Sequence, residues 1–295
     1  VQWIPWAPDG WSHPLWSEAG RALGRDLPGR ISINPEETVT AGLRLVSYGA
    51  VFWLSLQLCR SSVRAQRALR FFVWMGFAYA LYGLFALFSG SDQILGFGDR
   101  SNLFDVSSTF TNRNSYATFA GLTLLGAVAL YLDGVGAVLR SRFSWRVKAR
   151  RLIDRLLGTG APMAVAILVM ATALLLTSSR AGLFSALLGI AFLMIALNRA
   201  RELRGMQAAA LGSGLLLAGI LVFLFSGQKV AERLGGIEAT GSGRAAVYAR
   251  VVDAIGEAPL LGTGYGTFPD VFPMIRDDSV PGNTFWGRAH STYLE

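Results

Sequence analysis

Six long apolar stretches constrain the fold of this chain more than any other feature. They cover 40–59, 71–89, 114–132, 161–177, 181–198 and 206–226. Each approaches the roughly 20 apolar residues that a helix needs to cross a bilayer, where backbone groups must be paired internally. With 52% hydrophobic and 16% charged residues, the composition excludes a soluble domain of 295 residues. The sequence therefore predicts an all-α fold, a polytopic transmembrane helical bundle with six spans.

The basic residues predict how this bundle is oriented. The connections 60–70, 133–160 and 199–205 hold 14 of the 27 lysines and arginines, whereas the much longer segments on the other side hold 12. The positive-inside rule places the basic connections in the cytoplasm. We therefore expect three parts: an outer N-terminal segment, 1–39; a membrane domain, 40–226; and a large, partly helical outer loop, 227–295.

The N-terminal segment has the composition of a stretch that lies at the headgroup level, where tryptophan is enriched. Its tryptophans are Trp3, Trp6, Trp11 and Trp16. Asn34, Pro35 and Glu37 then predict a helix that begins near Pro35, with Asn34 as its cap. Because an outer N-terminal segment needs an earlier helix to carry it across, we expect further spans before Val1, and more after Glu295.

Charge and cysteine content exclude several classes of function. The net charge of +8 does not indicate nucleic-acid binding, because much of it lies in short connections between spans, where topology and anionic lipid explain it. Cys59 is the only cysteine, so no intramolecular disulfide or thiolate cluster can form. His13 and His290 are too few for a zinc motif. We predict no metal site and no cofactor.

Arg180 lies between two apolar spans that have almost no loop between them. A guanidinium at the edge of the bilayer is costly unless it reaches water or finds an anion. Two readings remain open from the residue alone, a snorkelling interface arginine and an anion ligand at the membrane surface.

Arg244 follows a serine that favours a helix start. Ser242 is a good N-cap, and the following spacing predicts a helix with one apolar face made by Tyr248, Val251, Val252 and Ile255. Arg244 would then lie in the first turn, against the helix dipole. A bound phosphate would resolve this conflict; a tolerated exposed arginine is the alternative.

A glycine-rich stretch, 262–268, follows Pro259. It lacks the lysine and hydroxyl residue of a P-loop and does not fit a dinucleotide fingerprint, so a tight turn is the better interpretation. A short helix should follow, with an apolar face that rests on the membrane. That face consists of Phe268, Val271, Phe272 and Ile275.

Further polar residues are candidates for substrate contacts. Asn112, Arg113 and Asn114 enter the third span from outside; they can bind sugar or phosphate, or only cap a helix. Arg44, one or two turns into the first span, is costly enough to need a partner. His290 can accept a proton from an attacking hydroxyl if it comes within reach, although a surface histidine is more often inert.

Several motifs together resemble the O-antigen ligase and polymerase superfamily. They are Thr109-Phe110-Thr111-Asn112-Arg113-Asn114, Thr177-Ser178-Ser179-Arg180-Ala181-Gly182, Gly243-Arg244 with Pro259-Leu260-Leu261-Gly262 and Gly264, and His290 before Tyr293-Leu294-Glu295. The resemblance implies a polytopic GT-C-type glycosyltransferase of the bacterial inner membrane. It implies an undecaprenyl-diphosphate-linked glycan as donor, with the loop 227–295 in the periplasm.

The resemblance also assigns roles to residues. Arg180 and Arg244 would bind and neutralise the diphosphate, and His290 would activate or orient the acceptor hydroxyl. Many members have His-Ala-His-Asn where this chain has Arg288-Ala289-His290-Ser291, so Arg288 is expected to contact an anionic acceptor or glycan. The expected substrate-binding set is Arg44, Asn112, Arg113, Asn114, Tyr248 and Arg288.

The expected reaction displaces a lipid diphosphate from an anomeric carbon. Fixed guanidinium groups then supply the positive charge, and no metal is needed. The acceptor, a lipid or a glycan, distinguishes ligase from polymerase and is not indicated by the sequence, nor is the oligomeric state. The alternative class is a polytopic transporter or channel, which would place its charges near the bilayer midplane around broken helices.

Overall fold

A computed structural model describes residues 1–5, 7, 8, 10–96, 98, 99, 104–141, 143–158, 160–199, 237–280 and 287. Within these residues the helices are α1 (Pro14–Leu23), α2 (Pro35–Leu58), α3 (Ser62–Phe88), α4 (Arg113–Arg140), α5 (Trp145–Leu157), α6 (Ala161–Leu176), α7 (Arg180–Arg199), α8 (Ile237–Glu257) and α9 (Phe268–Ile275). Between α3 and α4, β1 (Gln93–Ile94) pairs antiparallel with β2 (Gly98–Asp99). The chain divides into two compact units, Val1–Gln57 with Gln228–Glu295, and Leu58–Gly227.

Four of the described helices are long and apolar enough to cross a membrane. They are α2, α3, the Arg113–Gly136 part of α4 and the Arg180–Leu197 part of α7. The apolar helix α6 has only 16 residues; at 1.5 Å per residue it spans about 24 Å, less than the roughly 30 Å hydrocarbon core. A mostly helical fold with four candidate membrane spans is thus confirmed, but the count of six spans is not. The sixth predicted span, 206–226, lies outside the described residues.

Helix bounds differ from the apolar stretches that predict them. α3 begins well before the predicted span 71–89, and α4 continues beyond 114–132. The connection 133–160 also contains α5, a basic helix that the sequence analysis did not predict. The reason is that hydropathy reports which part of a helix lies in hydrocarbon, whereas helical hydrogen bonding continues into polar turns.

The unit Leu58–Gly227 is a bundle around α4, which packs against α3, α6 and α7. Its buried core contains many alanines, among them Ala117, Ala120, Ala127, Ala166 and Ala173. Small side chains let membrane helices approach closely, so that dispersion forces hold them together. This matters in a bilayer because lipid tails are themselves apolar, and the hydrophobic effect does not drive helices to associate there.

In the other unit, α2 begins at Pro35, as predicted. The side chain of Asn34 accepts a hydrogen bond from the backbone N–H of Glu37 at 3.2 Å. This bond satisfies one of the free N–H groups of the first turn. Beyond its first turns α2 is exposed along its length, as a lipid-facing helix would be.

Candidate functional site

Arg180 is presented by a tight turn between α6 and α7. The hydroxyl of Thr177 accepts the backbone N–H of Ser179 at 3.2 Å, and Ser178 takes a left-handed φ of 53°. Ser179 Oγ then accepts the N–H of Gly182 at 3.2 Å. Ser179 is therefore the N-cap of α7. Arg180 is the first residue of the helix, and its side chain is exposed.

This position gives Arg180 the conflict that the sequence analysis expected at Arg244. The start of a helix carries partial positive charge and free N–H groups, and it attracts anions. A guanidinium placed there is locally unfavourable, but together with the free N–H groups it forms a strong site for a phosphate or diphosphate.

Arg113 occupies the equivalent position at the start of α4. Asn112 is the N-cap, and its side chain accepts the N–H of Asn114 at 2.8 Å. The capping interpretation of Asn112 is thus confirmed. Arg113 Nη1 forms an ion pair with the carboxylate of Asp105, whose side chain is 1% exposed while that of Arg113 is 35% exposed.

Small residues bring α4 and α7 into close contact. A Cβ atom on Gly182 would lie 2.5 Å from the Cβ of Ala117, and one on Gly121 would lie 3.2 Å from the Cβ of Ala186. Position 117 of α4 faces position 182 of α7, and position 121, four residues later, faces position 186, also four residues later. The two helices therefore run parallel, with Ala117 and Gly121 of α4 against Gly182 and Ala186 of α7.

Because α4 and α7 are parallel, their starts lie at the same end of the bundle. Two capped helix ends, with Arg113 and Arg180 at their first positions, thus point their positive poles the same way. The structure brings together the third-span cluster and the Arg180 motif, which the sequence analysis treated separately.

A segment without helical structure, 104–112, whose residues 105–108 are buried, lies at this end of the bundle. The backbone N–H of Val106 donates to the carbonyl of Leu176 at 2.9 Å, and Ser108 Oγ donates to the carbonyl of Tyr79 at 2.8 Å. Asp105 lies next to Val106 and is buried with it. Such irregular backbone is tolerated within a membrane bundle only where protein groups pair with it.

Sequence reasoning missed two buried polar residues at this end. Asp105 pairs with Arg113, and its signal was an acid between two apolar residues, Phe104 and Val106. Tyr116 is fully buried in the bundle core, and its hydroxyl has no hydrogen-bond partner among the described residues. Nothing in the sequence around Tyr116 distinguishes it from an ordinary core aromatic residue.

The prediction of Arg244 in a first helical turn was wrong. α8 begins at Ile237, so Arg244 is seven residues further along, and Ser242 lies inside the helix. A serine caps a helix only where the chain leaves helical geometry; within a continuing helix, backbone N–H groups bond to carbonyls four residues earlier. The helix-start argument therefore does not apply to Arg244.

The buried face of α8 also differs from the predicted one. Val247 and Val251 are buried, and Tyr248 packs against their cluster. Val252 and Ile255, expected on the same face, are exposed. The predicted stripe was therefore wrong for two of its four members, because the face is set by the segment that packs against it.

That segment is α9, which the sequence analysis expected to rest on the membrane. Phe272 of α9 is buried with Val280 and the two valines of α8, and Phe268 and Ile275 pack against the same cluster. The apolar face of α9 is thus satisfied by protein, and the membrane-resting interpretation was wrong. Packing against α8 buries apolar area of α9 that would otherwise be exposed.

The predicted turn at 262–268 is present, and it is held by the N-terminal segment. Gln2 Nε2 donates to the carbonyl of Leu261 at 2.9 Å, and its Oε1 accepts the N–H of Tyr265 at 3.0 Å. The N–H of Ile33 donates to the carbonyl of Thr263 at 3.0 Å. Both ends of the described chain thus form one unit, a pairing that the sequence analysis did not predict.

Two glycines are required where this turn meets the N-terminal segment. Gly264 has a φ of 113°, and a Cβ there would lie 2.5 Å from Ser32 Oγ. Gly266 has a φ of 86°, and a Cβ there would lie 2.7 Å from the Cβ of Ala41. The glycines serve backbone conformation and close packing.

Titratable groups of this unit are tuned by local contacts. His13 caps α1, with Nδ1 accepting the N–H of Leu15 at 3.2 Å, and burial lowers the pKa of His13 against the opposing effect of Glu18. A hydrogen bond from the side chain of Ser279 lowers the pKa of Asp277. The neutral histidine suits the cap, because only an unprotonated Nδ1 can accept.

The remaining predicted site residues have the following positions. Arg44 is exposed on α2 and has no ion-pair partner among the described residues, so its expected partner is not found there. Tyr248 is half-buried on α8. The side chain of Arg244, together with Arg288 and His290, lies outside what the structure describes. In the described part of the chain, no cluster of three or more His, Cys, Asp or Glu side chains is placed to hold a metal.

Comparison with known families matches the part of the chain from residue 165 onward to a family model. Residues 165–295 match the family model described as O-Antigen ligase. No curated protein and no solved structure matches the chain. The matched segment contains α7 with Arg180, α8 and α9, and it confirms the resemblance drawn from the sequence motifs. Residues 165–295 are therefore similar to the O-antigen ligase family.

Proposed function

We propose that this protein transfers a glycan from undecaprenyl diphosphate to an acceptor hydroxyl at the periplasmic face of the bacterial inner membrane. The O-antigen ligase domain supports a ligase- or polymerase-type membrane glycosyltransferase. The donor, the acceptor and the side of the membrane are the finer parts of the proposal. The acceptor is a lipid in the ligase version and a growing glycan in the polymerase version.

The position of Arg180 carries the proposal. An exposed guanidinium at a capped helix start, beside a second capped helix start of the same direction, suits a ligand with two adjacent anionic groups. A lipid diphosphate has this character, and its isoprenoid tail belongs in the bilayer that surrounds the bundle. Arg180 thus acts as the membrane-domain ligand of the diphosphate.

The reaction forms one bond and breaks one. The acceptor oxygen bonds to the anomeric carbon, the bond from that carbon to the diphosphate oxygen breaks, and undecaprenyl diphosphate leaves as an anion. The acceptor proton passes to His290. Because negative charge grows on the leaving oxygen, Arg180 and Arg244 stabilise the transition state more than the ground state. With so good a leaving group, His290 contributes less to the rate.

Single alanine variants of the purified enzyme test these roles with lipid-linked donor. Arg180→Ala should lower kcat by about 10²–10³-fold, the usual loss when one charge-stabilising donor is removed. Arg64→Ala is a matched control, since Arg64 is also an exposed arginine in the first turn of a serine-capped helix. Full activity of Arg180→Ala or Arg244→Ala, or inactivation by EDTA, would contradict the mechanism.

The side of the membrane is tested separately by chemical labelling. In a Cys59→Ser background the chain has no other thiol, so Ser279→Cys reports one site in the loop. A membrane-impermeant maleimide should label it in intact spheroplasts. Labelling only after lysis would place the loop in the cytoplasm and overturn the periplasmic assignment.

Ligase and polymerase are separated by the glycan that accumulates in a deletion strain. Mass spectrometry of lipid-linked material should find full-length chains on the lipid carrier if the enzyme is a ligase. Single repeat units on the carrier would instead indicate a polymerase.

A further inference from the structure

Asp105 is a buried carboxylate at the end of the bundle that presents Arg180. Its side chain is 1% exposed, and it pairs with Arg113 Nη1. A buried ionised carboxylate is costly unless it is paired and hydrogen-bonded. The pair therefore fixes where the guanidinium of Arg113 stands at the start of α4.

The segment that carries Asp105 is joined to the turn that carries Arg180. Val106, the next residue, donates its backbone N–H to the carbonyl of Leu176, the last residue of α6. The turn from Leu176 leads directly into the cap of α7 and Arg180. A continuous set of contacts thus runs from the start of α4, through Asp105, to the start of α7.

Arg113 keeps capacity for a second anion. Among the described residues only its Nη1 meets a carboxylate, its side chain is about one-third exposed, and a guanidinium offers five N–H groups. Asp105 cancels the net charge of Arg113, so Arg113 offers directed hydrogen bonds rather than net attraction. Arg180 and the two parallel helix starts supply the positive potential.

We propose that Asp105 is a positioning residue for the lipid-diphosphate donor, which it serves by holding the guanidinium of Arg113 at the same bundle end as Arg180. This inference rests on the proposed function. Asp105 itself touches no substrate, and its effect passes through Arg113. A diphosphate, with oxygens on two phosphorus atoms, benefits from two fixed arginines, whereas a monophosphate benefits less.

Binding of glycan-free undecaprenyl diphosphate to the full-length protein in nanodiscs tests the inference. Asp105→Asn should raise the Kd by about tenfold or more, the loss expected for one charge-assisted hydrogen bond. Undecaprenyl phosphate should lose less affinity. Asp154→Asn is the matched control, because Asp154 pairs with Arg150 at 4.0 Å on an exposed face of α5; its Kd should not change.

Arg113→Lys separates positioning from a purely structural role. Lysine keeps the charge that Asp105 needs, so the thermal unfolding temperature should change little, but a single ammonium cannot both pair and present a second fixed donor. The Kd should rise by about tenfold here too. In the Arg113→Lys background, Asp105→Asn should add little further loss. Each change alone already removes the fixed hydrogen bond from residue 113 to the diphosphate.

The inference is overturned if folded Asp105→Asn binds undecaprenyl diphosphate like the wild type, or if its loss is undiminished in the Arg113→Lys background. If Asp105→Asn does not fold, unchanged binding by Arg113→Lys overturns it. Arg180→Ala in the same assay distinguishes the two levels. If Arg180→Ala binds undecaprenyl diphosphate as tightly as the wild type, the proposed donor site is refuted. If Arg180→Ala binds weakly and Asp105→Asn binds normally, only the role of Asp105 is refuted.

Discussion

The contact of Gly182 with Ala117 makes the spacing of α4 and α7 sensitive to one methyl group. A Cβ at position 182 would lie 2.5 Å from the Cβ of Ala117, where van der Waals contact begins near 3.4 Å, and 3.1 Å from Ser179 Oγ. The helices must therefore separate by roughly 1 Å, which moves the start of α7 away from that of α4. Arg180 is the first residue of the segment that moves.

Two free-energy terms of opposite sign decide the effect of Gly182→Ala. Overpacking a close helix contact costs about 1–3 kcal/mol. Alanine in place of glycine within a helix gains about 0.5–1 kcal/mol. The packing term is larger, so we expect a net loss of up to about 2.5 kcal/mol in the free energy of unfolding, with weaker binding of undecaprenyl diphosphate.

Gly189→Ala is the matched control on the same helix. A Cβ there would lie 3.3 Å from Leu125 Cδ2, the end of a flexible side chain that can turn aside. This substitution should leave stability unchanged or raise it slightly. Adding Ala117→Gly to Gly182→Ala should restore the contact by removing the opposing methyl group, at the cost of one helical glycine.

Unfolding by SDS titration of the purified protein, with undecaprenyl diphosphate binding as a second measurement, tests these expectations. The order of stability should be Gly189→Ala at or above wild type, then the double variant, then Gly182→Ala. A Gly182→Ala protein at least as stable as wild type, or one that Ala117→Gly destabilises further, would refute the close parallel packing.

Three further predictions concern buried or strained positions. Tyr116→Phe removes a buried hydroxyl without a described partner, so it should leave the unfolding temperature unchanged or raise it, in keeping with about 1–3 kcal/mol for an unsatisfied polar group; a clear fall would reveal a partner. Because the pKa of His13 is lowered in the folded chain, its stabilisation is present above pH 6.5 and is lost as the pH falls through the folded pKa. The protection factor of the Leu15 amide, which normalises for the intrinsic pH dependence of exchange, should therefore fall below pH 6.5. His13→Asn should abolish that fall while keeping the cap. Gly264→Ala, with its positive φ and its close approach to Ser32, should increase proteolysis of the turn at 262–268, and unchanged digestion would contradict that contact.

The membrane fold was predictable because hydropathy and charge bias act on whole segments. The start of α2 was predictable too, since Asn34 and Pro35 form a local signal that the structure keeps. The helix start near Arg244 was not, because Ser242 presents the same kind of local signal as Ser179, and only the latter is a helix cap. Capping preferences are worth about 1 kcal/mol, and the continuation of a helix outweighs them.

The candidate site was predictable in its members but not in its arrangement. Arg180 could be singled out as a costly arginine beside apolar spans, and Arg113 as a member of the polar cluster that enters the third span. That they share one bundle end follows from the parallel contact of α4 and α7, which depends on glycine and alanine at fourfold spacing. Asp105 escaped notice because a lone acid in a connection is usually solvated, whereas here it lies in a buried stretch, 105–108.

The pairing of Gln2 with the turn at 262–268 sets an order of events during synthesis. The two partners of Gln2, Leu261 and Tyr265, are separated from it by 259 and 263 positions. At about 5–20 residues per second, a ribosome takes on the order of 10–50 s to make the intervening chain. Through that interval the N-terminal segment, 1–39, remains without its partner while the helices between are inserted. Completion of this unit is therefore a late step. The rate of translation sets how long the tryptophan-rich N-terminal segment stays unpaired.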